Sequence, residues 1–97
     1  MSDEAILQLT MDGVLRAGIN LGNALLSGGN YEEAIAQYGI AIRLKAYYED
    51  AHNNLGAALL NAGRVEEAIT QFREAIKIRP DFASAHNNLA IALRMKN

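Results

Sequence analysis

Ala-His-Asn-Asn-Leu occurs at residues 51–55 and again at 85–89, a step of 34 residues. The same step aligns Leu21, Leu55 and Leu89, then Asn20, Asn54 and Asn88, then Leu25, Leu59 and Leu93. Gly22 aligns with Gly56 and, in the third copy, with Ala90; Gly29 aligns with Gly63. YEEAIAQY at 31–38 aligns with VEEAITQF at 65–72. A fixed period of this length marks a stack of like supersecondary units, none of which buries its apolar face alone. It constrains the fold more tightly than any single motif in the chain.

Each unit reads as two helices. From Glu49 to Asn61, apolar and small residues recur at spacings of three and four, at Ala51, Leu55, Ala58 and Leu59. Gly63 supplies the left-handed residue that ends a helix. The next helix starts near Val65, with Glu66 and Glu67 at the positive end of its dipole and Lys77 and Arg79 at the other. Its apolar stripe is Ala68, Ile69, Phe72, Ala75 and Ile76, and Pro80, which has no amide proton, stops it. The first unit repeats this plan over roughly Leu15–Lys45, with its turn at Gly28-Gly29-Asn30. A last helix spans Ala83–Lys96. Gly22, Gly56 and Ala90 each follow a core leucine, and Ala34 and Ala68 lie on the second helices. Small residues there let helices approach closely, while Tyr38 and Phe72 fill the remaining space.

Ahead of the first unit, Ser2 or Asp3 can cap a helix. Leu7, Met11, Val14, Leu21 and Leu25 carry one stripe into the repeat, so residues 3–27 read as one long helix with Asp12-Gly13 as its expected break. Nothing alternates with period two, so no strand is expected. The predicted fold is all-α, built of helix-turn-helix repeats. Its segments are an N-terminal helical extension at 1–14, repeats at 15–48 and 49–82, and a half repeat or capping helix at 83–97.

Composition narrows the function. The 97 residues amount to one small domain. A net charge of −2, with no basic stripe, points to neither nucleic acid nor a membrane surface. With no cysteine, disulfides and thiolate catalysis are excluded. The acidic start, Met1-Ser2-Asp3-Glu4, lacks the regions of a signal peptide, and there is no run of 18 apolar residues, so the expected location is cytoplasmic. His52 and His86 lack the companions a metal needs. The pairs Glu32-Glu33 and Glu66-Glu67 are explained by the helix dipole. Without a nucleophile–base pair or a phosphate loop, no enzyme, metal or cofactor is expected.

The sequence resembles a tetratricopeptide repeat array. That family has a 34-residue unit with a large residue, leucine and glycine on the first helix, then alanine, an aromatic and alanine on the second, and a closing proline. Residues 49–82 match at Leu55, Gly56, Leu59, Ala68, Phe72, Ala75 and Pro80. Residues 15–48 match at Leu21, Gly22, Leu25, Ala34, Tyr38 and Ala41, but Ala46 stands where proline is usual and Gly18 where a large residue is. Residues 83–97 match a first helix only, through Leu89, Ala90 and Leu93.

The resemblance implies a right-handed α-α superhelix with an extended N-terminal helix, serving as a non-catalytic protein-interaction module whose first helices line a concave, peptide-binding face. The positions concerned are Asn20, Asn23, Asn53, Asn54, Asn87 and Asn88, whose amides both donate and accept. The pattern is similar to the asparagine ladder in the repeat domains of O-linked N-acetylglucosamine transferases, and implies capture of an extended segment of a partner protein. A chaperone-type carboxylate clamp is not expected, since Ile19, Ser84 and Asn88 stand where its cations belong. The competing reading is a self-assembling element. The extension would project with Ile6, Leu7, Leu9 and Met11 uncovered, which predicts a homodimer through the N-terminal helix or the open C-terminal edge. A third is a piece of a longer array.

Overall fold

The computed structural model describes residues 2–97; Met1, the first residue of the expected extension, lies outside them. Five helices follow in order, with no strand among the described residues: α1 (Asp3–Ser27), α2 (Tyr31–Leu44), α3 (Glu49–Asn61), α4 (Val65–Ile78) and α5 (Ala83–Lys96). The Ser2 hydroxyl accepts the Ala5 amide at 3.2 Å and opens α1. The turns after α1 and α3 are built alike. Gly29 and Gly63 sit at φ 82° and 83°. The next amide reaches back to the helix, Asn30 to the Leu25 carbonyl and Arg64 to the Leu59 carbonyl, each at 2.8 Å. This closes the last turn with a left-handed residue that only glycine adopts without strain.

The expected break at Asp12-Gly13 does not occur: α1 runs unbroken through both residues. Two side-chain bonds lie in the turns just before the glycine. Gln8 donates to Asp12 at 3.0 Å, and the Thr10 hydroxyl donates to the Ile6 carbonyl at 3.0 Å. A helical glycine costs only about 1 kcal/mol relative to alanine, too little to interrupt it.

The helices stack in chain order. Each packs on its sequence neighbours, and in addition α1 touches α3 and α3 touches α5, while α2 and α4 do not meet among the described residues. The first helices of the repeats are therefore the inner rank of a curved stack, and the second helices the outer. The body measures 53 × 29 × 17 Å. At 1.5 Å per residue α1 is about 37 Å long against about 21 Å for α2, so its first turns extend past its partner.

The core runs through the middle of the stack. Ala34, Tyr38, Ala41, Leu55, Leu59, Ala68, Phe72 and Ala75 are buried, as are Gly22 and Gly56, and Leu25, Leu89 and Leu93 pack partly buried against them. A Cβ on Gly22 would come within 2.5 Å of the Tyr38 ring, and one on Gly56 would overlap the Phe72 ring. Three residues assigned to the core are exposed instead: Leu21, Pro80 and Ala90. Leu21 shares a face of α1 with Ala17 and Ala24. The matching face of α3, Ala51, Leu55 and Ala58, is buried because α2 packs there, and among the described residues no helix packs on that face of α1. Ala90 is exposed for the same reason on α5. Pro80 ends its helix from the surface. Leu15, Ile19, Ala85 and Ala92 are core residues that the repeat pattern alone left out.

Candidate functional site

The inner face is made by α1, α3 and α5, and its asparagines are tied across those helices. Asn54 donates to the Asn23 carbonyl oxygen at 3.2 Å, joining α3 to α1. Asn88 donates to the Asn53 oxygen at 3.1 Å, and Asn53 donates to the Ser84 hydroxyl at 3.2 Å, joining α5 to α3. Asn53 is buried, 6% exposed, with both ends of its amide engaged, as a buried polar group requires. Asn20, Asn23 and Asn87 are exposed, and Asn54 and Asn88 half-buried. The six are therefore not equivalent: Asn53 holds helices together, whereas Asn20 and Asn87 make no side-chain bond among the described residues.

Asn23 also accepts the Tyr38 hydroxyl, at 2.5 Å. The Tyr38 ring is fully buried, and burial pushes its pKa up to about 12. The sequence alone presents Tyr38 as a space-filling ring and Asn23 as a ligand residue. The 34-residue register held the missing signal: the second repeat has Phe72 for Tyr38 and Ala57 for Asn23, losing hydroxyl and acceptor together.

The histidines serve the turns between repeats. His52 Nε2 lies 2.8 Å from the Ala46 carbonyl oxygen, and His86 Nε2 lies 2.7 Å from the Pro80 oxygen. Each ring donates to the carbonyl six residues before it, fastening the connection from the previous helix. On its other side His52 Nδ1 lies 2.7 Å from Gln71 Oε1. Gly18, at the same register, leaves a cavity of about 240 Å³ beside Leu21, Gln37, Ile40 and Leu44. Among the described residues no three His, Cys, Asp or Glu side chains are placed to share a metal ion.

Away from the inner face, Arg64 grips Glu67 through two bonds, at 3.1 and 2.7 Å, and reaches Glu32 at 3.4 Å. The bond to Arg64 lowers the Glu67 pKa. All three are surface groups, and Arg64, in the turn before α4, bridges Glu67 and Glu32 without forming a site. No described helix is long and apolar enough to cross a membrane.

A family model described as Tetratricopeptide repeat matches residues 19–81 and again 58–97. A search of curated proteins finds no match. Among solved structures, the crystal structure of MamA is similar with a TM-score of 0.81 at 29% identity, over 84% of this chain and 48% of that one. A MamA mutant structure is similar in fold, with a TM-score of 0.77 at 24% identity, over 84% of this chain and 60% of that one. The chain thus spans about half the length of the first of these.

Proposed function

The chain belongs to the tetratricopeptide repeat family, in general a non-catalytic protein-interaction fold, and we propose that it binds an extended segment of a partner protein along its inner face. The observation that carries this reading is the state of the asparagine row. Asn54 and Asn88 each direct one N–H to the neighbouring helix, which fixes the side chain and leaves its carbonyl oxygen unengaged. Asn20 and Asn87 extend the row with whole amides exposed. An amide held in place presents to a peptide backbone the acceptor that its N–H needs, with less ordering cost than a mobile one. Such contacts read the backbone and not its side chains, so binding is sequence-tolerant. The module does no catalysis of its own in this reading.

Titration with a library of extended peptides tests it. Asn20→Ala and Asn87→Ala remove no bond within the fold, and the pair should weaken binding at least several-fold with stability unchanged. Unaltered binding by that pair, and by Asn54→Ala with Asn88→Ala, would remove the row from the account.

A specific observation favours a second reading, self-association. On the projecting part of α1, Ile6, Leu7 and Leu9 are 49%, 68% and 61% exposed, with Met11 and Val14 beside them. Covering four such side chains is worth about 1.5–3 kcal/mol each before ordering costs, a large sum beside the few kcal/mol that hold a small domain. The chain forms a homodimer on this reading. Light scattering at tens of micromolar checks it, and Leu7→Glu with Met11→Glu should return the mass to that of a monomer.

A further inference from the structure

Residues 3–9, Asp-Glu-Ala-Ile-Leu-Gln-Leu, restate the opening of the second helix of each repeat: Glu-Glu-Ala-Ile-Ala-Gln-Tyr at 32–38 and Glu-Glu-Ala-Ile-Thr-Gln-Phe at 66–72. In both repeats the alanine is fully buried and the aromatic lies over the glycine of the paired first helix. The N-terminal copy has no such partner. Tyr38 precedes Leu55 by 17 residues and Phe72 precedes Leu89 by 17, but Leu9 precedes Leu21 by only 12. The segment is five residues short of a connecting turn, so it runs straight into α1 and stands clear of the body, with Ile6 and Leu9 exposed.

The other end of the stack has the opposite deficit. α5 is a first helix, with His86, Leu89, Ala90 and Leu93 at the places of His52, Leu55, Gly56 and Leu59. Apart from α4 of the preceding repeat, no second helix packs on it among the described residues, and Ala90 is exposed.

We propose that the first three turns of α1 in one copy dock antiparallel on α5 of a second copy, as the second helix of its third repeat. This rests on the self-association reading and identifies the two surfaces that meet. Size is matched at the closest approach. The repeats pair Gly22 with Tyr38 and Gly56 with Phe72, where an added Cβ would collide with the ring. Here the extra methyl of Ala90 faces the smaller Leu9. Charge is matched too. An antiparallel second helix starts beside the end of the first, which places Asp3 and Glu4 near the last turn of α5. That turn carries Arg94, and also Lys96, which pairs with Glu66 of α4 at 3.3 Å, whereas the last turns of α1 and α3 carry no basic residue. Length also fits: residues 3–14 span about 18 Å and the 14 residues of α5 about 21 Å. Because donor and acceptor surfaces differ, the contact is heterologous, and reciprocal exchange of two N-terminal segments closes it as a dimer.

The absence of cysteine makes a cross-linking test clean. Leu9→Cys and Ala90→Cys alter exposed positions, and circular dichroism checks that both variants keep their helices. Mixed under mild oxidation, they should form a disulfide between unlike chains at twice the 10.5 kDa chain mass, far faster than either variant alone. If Leu9→Cys links to itself as fast as in the mixture, the N-terminal helices pair with each other; self-association survives and this docking does not. A monomer mass without cross-linking overturns both. In the cysteine-free chain, Ala90→Phe should block the seat and weaken association at least tenfold. Ala90→Gly with Leu9→Phe, which rebuilds the Gly56–Phe72 pair, should retain it; loss of association in that double variant also counts against the docking.

Discussion

The Tyr38 hydroxyl donates to Asn23 Oδ1 at 2.5 Å, and one repeat later both partners are gone, Phe72 facing inward and Ala57 standing in place of the asparagine. Asn23 is shared: Asn54 donates to the same oxygen from α3. One acceptor thus links the ring inside the first repeat to the helix that begins the second.

Tyr38→Phe should cost about 1 kcal/mol, the net worth of one intramolecular hydrogen bond. Adding Asn23→Ala should cost less than the sum of the two single changes, because the pair then matches the second repeat. Urea denaturation of the four proteins in a double-mutant cycle measures the coupling. Strict additivity would show that the bond contributes nothing.

The same hydroxyl sets an alkaline limit. Its pKa is raised to about 12 in the folded chain from the ordinary 10.0, because burial disfavours the phenolate. The folded state therefore holds the proton more tightly, and this contribution is complete below pH 10 and lost as pH rises toward 12. Two units correspond to at most about 2.7 kcal/mol, and with the bond only part-buried about 1–2 kcal/mol is expected. Absorbance at 295 nm should show one tyrosine ionising late, and Tyr38→Phe should abolish that step.

Two glycine-to-alanine changes should have opposite signs. Gly56→Ala drives a methyl into the Phe72 ring and should destabilise by about 1–3 kcal/mol despite alanine's better helix propensity. Gly39 lies inside α2 with open space where a Cβ would sit, so Gly39→Ala should stabilise by up to about 1 kcal/mol. Thermal melts of both variants decide the matter.

The two histidines should differ in weight. His52 is buried with both nitrogens engaged, whereas His86 is exposed with one partner. His52→Ala should cost about 2–3 kcal/mol and His86→Ala under about 1 kcal/mol, read from chemical denaturation. Equal effects would show that the bond to the preceding turn matters more than the burial.

The fold was legible because period, glycine stops and dipole charges agree at every level. Gly29 and Gly63 mark the two left-handed turns, and Glu32-Glu33 and Glu66-Glu67 open the helices that follow. What was not legible depends on neighbours. Leu21 and Leu55 are the same letter at the same register, yet one is exposed and the other buried, because packing on a given face is a property of the stack and not of the residue. Asn53 and Asn87 are likewise equivalent in register, but only Asn53 has the first helix of a next unit, α5, beside it to bond. A weak residue such as Gly13 reads as a break in the sequence, but α1 runs straight through it.

Of the five helices, α3 alone touches all four others. It also holds seven buried residues in 13, more than any other helix. Nearly every contact that builds the stack joins segments close in sequence, a topology that folds fast. Opening should then begin at the two ends and reach α3 last, since losing α3 separates every remaining pair except α1 with α2 and α4 with α5. Backbone amides of α3 are accordingly the ones that exchange with solvent only when the whole chain unfolds, and their protection measures its global stability.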